Sequence, residues 1–160
     1  MNMKAATINQ LKQELSTRPP TELLEICLRL SKFKKENKEL LTYLLYEASD
    51  EASYIKNVKQ EIEQQFTEIN TSSYYFIKKS VRKILRNTKK YIRYSKKKET
   101  EVELLIFFCS EMNNLKPSMK NNLALHNIFK RQIEAIKKSM NYLHEDLIYD
   151  YEVEMESLRD

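Results

Sequence analysis

The sequence predicts an all-α protein: an irregular bundle of six or seven helices, or a short array of helical hairpins, within one domain over 1–160. Three observations carry this expectation. The 160 residues include no glycine, apolar residues recur at spacings of three and four along most of the chain, and residues that start or stop helices punctuate the intervals. Without glycine, helices must end on asparagine or without a left-handed residue, and Asn37, Asn70, Asn113 and Asn121 are among the asparagines placed to do so. The same absence excludes phosphate loops, dinucleotide-binding turns and kinase-type loops in their standard form, since each needs glycine where backbone approaches phosphate. An apolar content of 41% argues for a folded chain despite a mean hydropathy of −0.66, because an amphipathic helix needs only one apolar face.

A first helix carries Ile8, Leu11 and Leu15 on one side and ends before Pro19 and Pro20, which force the preceding residues out of helical geometry. A second runs from Pro20 or Thr21 to about Lys35, with lysines in its last turn that suit the negative end of its dipole. A third spans about Lys38 to Ala48, joined to the second by a tight connection at Glu36 and Asn37. Ser49 or Asp50 caps a fourth, in which Ile55, Val58, Ile62, Phe66 and Ile69 share a face. A fifth, over about 72–98, follows a cap at Thr71 or Ser72. Thr100 and Glu103 then form a capping box ahead of six apolar residues, Leu104 to Cys109, and a helix with that run has no face for water and belongs inside the core. Lys116 and Pro117 end it. From Met119 onward the spacing allows either one helix of about 40 residues or two with a break near Ser139 or Asn141.

Charge is concentrated in the fifth helix. Between Ile69 and Lys98 stand eleven Lys or Arg and no acid, while the rest of the chain holds seventeen bases and twenty-three acids, so this segment accounts for the whole net charge of +5. At about 100° per residue, Tyr74, Ile77, Val81, Ile84, Leu85, Thr88, Tyr91 and Ile92 fall on one face. Lys79, Arg82, Lys83, Arg86, Lys89, Lys90 and Arg93 fall on the other and are the candidate anion-binding residues, with Tyr75 and Tyr94 off the apolar row where they could stack on bases. Seven acids between Glu145 and Asp160 are a candidate internal or cross-dimer partner for that face.

Other chemistry has little support. The longest apolar run is six residues against roughly twenty for a transmembrane helix, and the first fifteen residues lack the apolar core of a signal peptide, so a cytoplasmic protein is expected. Cys27 and Cys109 are read as reduced, buried core residues. His126 and His144 stand eighteen residues apart with Leu123 and Asn141 three before them, so neither completes a Glu-x-x-His pair; no metal or cofactor is expected, and His126 reads as a core histidine. His144, Glu145 and Asp146 are adjacent, which on a helix turns them to different faces, so no catalytic residue is assigned and an enzyme is not expected.

The stretches TELLEICLRLSKFKKENKELLTYLLYEA (Thr21 to Ala48) and TEVELLIFFC (Thr100 to Cys109) resemble a family of small all-helical bacterial proteins with no assigned function. The resemblance implies an all-helical fold and a cytoplasmic location, and no site residues. The expected function is a non-catalytic binding module whose basic helix meets an anionic partner, nucleic acid first. The alternative is a structural or scaffold protein that self-associates as a homodimer or docks an acidic protein.

Overall fold

The computed structural model describes residues 2–159, and among them every regular element is helical. The chain divides into two compact units, one up to Tyr46 and one from Glu47 on.

The first unit contains α1 (Ile8–Ser16), α2 (Pro20–Phe33) and α3 (Lys35–Thr42), with a π-helical turn over Tyr43–Glu47 at the end of α3. Thr7 and Gln10 close a capping box at the start of α1, with the Thr7 amide donating to Gln10 Oε1 at 2.9 Å and the Gln10 amide to Thr7 Oγ1 at 3.2 Å. Pro20 occupies the first turn of α2, where a missing amide hydrogen costs nothing. α2 and α3 pack on each other. Their connection is Lys34 alone, extended at φ −140°, ψ 147°, rather than Glu36 and Asn37. Asn37 is therefore no helix stop: it lies within α3, and its side-chain amide donates to the Leu30 carbonyl at 2.8 Å, satisfying an end of α2 from outside. Cys27, expected in the core, is exposed. α2 carries apolar residues on more than one face, and a single neighbouring helix cannot cover them all.

The second unit holds α4 (Glu51–Thr67), α5 (Tyr74–Ser95), α6 (Lys98–Asn113), a 3₁₀ turn (Met119–Asn121), α7 (Leu123–Met140) and α8 (Glu145–Glu156). α6 is its centre, packing on α4, α5, α7 and α8. Val102, Leu104, Phe108, Cys109 and Met112 are fully enclosed, and the Phe108 ring meets Phe66 of α4 edge-on at 5.5 Å. Burial pushes the Cys109 thiol up to about 12. The expected capping box at Thr100 is absent. α6 begins at Lys98, and Thr100 is buried with its hydroxyl donating to Glu51 Oε1 of α4 at 2.8 Å. A long-range carboxylate has taken the role that the local amide was expected to fill.

The segment after Met119 resolves into two α-helices, with α7 ending at Met140 and Asn141 as its C-cap. Glu145 and Asp146 consequently sit in the first turn of α8, where acids suit the helix dipole. Tyr151 ties α8 to α6, donating to Glu103 at 2.9 Å and Glu99 at 3.3 Å, and burial together with these two carboxylates holds its phenol far above the usual range. His126 is half-buried rather than in the core. It lines an open groove of about 720 Å³ between α7 and α8, because its row on α7 faces a helix that covers it only in part.

Candidate anion-binding face

α5 is amphipathic because its apolar residues recur at three and four, and the fold buries the middle of that stripe while Tyr74, Leu85 and Tyr91 at its edges stay half-buried. Ile77, Val81, Ile84, Thr88 and Ile92 are each at most 8% exposed, packed toward α4 and α6. Thr88, the polar member, returns its hydroxyl to the Ile84 carbonyl at 2.8 Å and so enters the core without an orphan donor. Burying this stripe turns the opposite face outward. Its 22 residues span about 33 Å at 1.5 Å per residue.

The structure brings the seven predicted residues onto that face. Lys79, Arg82, Lys83, Arg86, Lys89 and Arg93 are exposed, and among the described residues none of these six is paired with a carboxylate. Lys90 is half-buried, its ammonium 5.3 Å from the centroid of Tyr91. The helix ends at Ser95, short of the expected Lys98, because Lys96 takes a left-handed conformation at φ 61°. The chain then turns onto the start of α4, where Glu51 accepts from Ser95 Oγ at 2.6 Å and pairs with Lys97 at 3.4 Å. Lys96, Lys97 and Lys98 thus leave the row of the seven.

Of the two tyrosines read as stacking candidates, Tyr75 remains 65% exposed and Tyr94 is half-buried, edge-on to Tyr91 at 6.1 Å. Tyr91 is held in turn by its hydroxyl, which donates to Glu61 of α4 at 3.0 Å. Phe76, which charge and phase did not single out, is also exposed and lies edge-on to Tyr75 at 5.4 Å. Its place between the apolar and basic rows was the available signal.

The acidic C-terminal segment is elsewhere. α8 packs on α6, its acids Glu152, Glu154 and Glu156 are exposed, and among the described residues no acid of this segment is paired with a base of α5. His144 caps α8, its Nδ1 accepting from the Asp146 amide at 3.3 Å. Among the described residues no cluster of three His, Cys, Asp or Glu could hold a metal ion, and no helix is long and apolar enough to cross a membrane. Comparison with protein-family models, curated proteins and solved structures finds no match to this chain.

Proposed function

We propose that this protein is a non-catalytic binding module that holds nucleic acid on the outer face of α5. One observation carries the reading: six exposed bases without carboxylate partners follow one another along a single helix face, with no acid among them. Phosphates repeat along a nucleic-acid backbone and reward such a row with counterion release, whereas a solvated surface has no use for six like charges that repel at each helical turn. Attachment to an anionic membrane is the weaker reading. A membrane-surface helix inserts its apolar face among the acyl chains, and in α5 that face is buried against α4 and α6.

Fluorescence anisotropy with labelled single- and double-stranded oligonucleotides tests this at 50 and 200 mM salt. Six phosphate contacts predict an affinity loss on the order of a hundredfold or more across that range. The Arg82→Glu, Arg86→Glu, Lys90→Glu triple variant should lose binding altogether. Absence of binding at 50 mM salt would retire nucleic acid as the partner, and an acidic protein would take its place.

A further inference from the structure

We propose that the chain pairs with a second copy of itself through its N-terminal unit, the ridge Ile8, Leu11, Leu15 on α1 of each copy seating in the α2–α3 groove of the other. The argument is independent of α5. Twelve large apolar side chains between Ile8 and Tyr46 are 36–79% exposed, while the apolar residue this unit buries is Tyr43. They lie on several faces of α1, α2 and α3, and the pairing uses six of them, Ile8, Leu11 and Leu15 of the ridge and Leu30, Leu40 and Leu44 of the groove, which are 36–79% exposed.

Ridge and groove are matched in chemistry. The groove, about 220 Å³, is lined by Cys27, Leu30, Leu40, Leu41 and Leu44 and by no charged side chain. Its polar members are already engaged, Asn37 with the Leu30 carbonyl at 2.8 Å and Ser31 with the Leu28 carbonyl at 2.8 Å, so the groove asks for an apolar occupant. α1 presents one, with apolar residues at i, i+3 and i+7, the spacing of anchors for a helix lying in a groove. The occupant is not the chain's own α1, every residue of which is exposed. Pro19 and Pro20 stiffen the junction, and Arg18 bridges Glu14 of α1 and Glu22 of α2 at 3.4 Å each. Reciprocal seating uses both ridges and both grooves and closes at the dimer.

Sedimentation equilibrium of the full chain over about 1 to 100 µM tests the proposal, with a Leu11→Glu, Leu15→Glu variant for the ridge and Leu44→Glu for the groove. These positions are 40–58% exposed, so folding should survive, which circular dichroism checks. The wild type should be dimeric, and each variant should weaken the dimer roughly hundredfold or more. Cys27 provides a second readout. Oxidised Leu11→Cys protein should give a covalent dimer on a non-reducing gel, and adding Cys27→Ser should abolish it, while Cys109 is enclosed in the core and stays out of the reaction. A wild type that is monomeric throughout, a dimer indifferent to both variants, or a disulfide closed within one chain would each overturn the proposal.

Discussion

Lys96 shows at the scale of one residue what a glycine-free chain must accept. It is the residue with positive φ among those described, 61°, and its amide donates to the Ile92 carbonyl to end α5. A side chain with a Cβ is less stable there than glycine by about 1 kcal/mol. The conformation persists because the residues around it are held: Ser95 and Thr100 both donate to Glu51, and Lys97 pairs with the same carboxylate. Lys96→Gly should therefore raise unfolding stability by about 0.5–1 kcal/mol, read as a higher urea midpoint at unchanged slope. A lower midpoint would mean that the Lys96 side chain contributes something that its exposure does not reveal.

At the scale of elements, most helices were legible by a local period, as where Ile55, Val58, Ile62 and Phe66 repeat at three and four and all are buried on α4, and α6 by its unbroken apolar run from Leu104 to Cys109. The basic face was legible for the same reason, since charge follows phase. What distant residues decide was not legible. Thr100 and Glu103 spell a capping box, yet the Thr100 hydroxyl is taken by Glu51, forty-nine positions away. Cys27 sits in an apolar run, yet its exposure depends on how many helices share its neighbourhood. A further distant pairing, between α4 and α6, has a measurable consequence. Burial, and secondarily the charge of Glu63, raise the carboxyl of Glu111 above its ordinary 4.5. The folded state then holds that proton more tightly than the unfolded state. Stability falls as pH rises through the window between the unfolded and the raised folded value, and the full penalty applies above it. Glu111→Gln should melt higher than wild type at pH 7, and the difference should close below about pH 4, where both states of the wild type are protonated. A difference that stays constant from pH 3 to 8 would sink the assignment.

For the whole molecule, charge and fold pull in opposite directions, and salt separates them. The net charge is +5, and the excess lies on α5, where Lys79, Arg82, Lys83, Arg86, Lys89 and Arg93 stand exposed at spacings of three and four without carboxylate partners among the described residues. Each such pair repels by a few tenths of a kcal/mol, so the row costs on the order of 1–2 kcal/mol at low ionic strength. The Debye length shrinks from about 30 Å at 0.01 M to about 8 Å at 0.15 M, which relieves much of that repulsion. Raising sodium chloride over this range should lift the melting temperature of the free protein by a few degrees, given about 2–4 °C per kcal/mol at this size. In the Arg82→Glu, Arg86→Glu, Lys90→Glu variant the alternating charges attract, so the rise should vanish or reverse. Salt should therefore strengthen the free fold and weaken the proposed hold on phosphate, two effects of opposite sign from one row of side chains. A wild-type melting temperature that ignores salt while the same salt abolishes oligonucleotide binding would show that the bases act on a ligand without straining the fold. A temperature that rises in both proteins alike would place the repulsion outside α5.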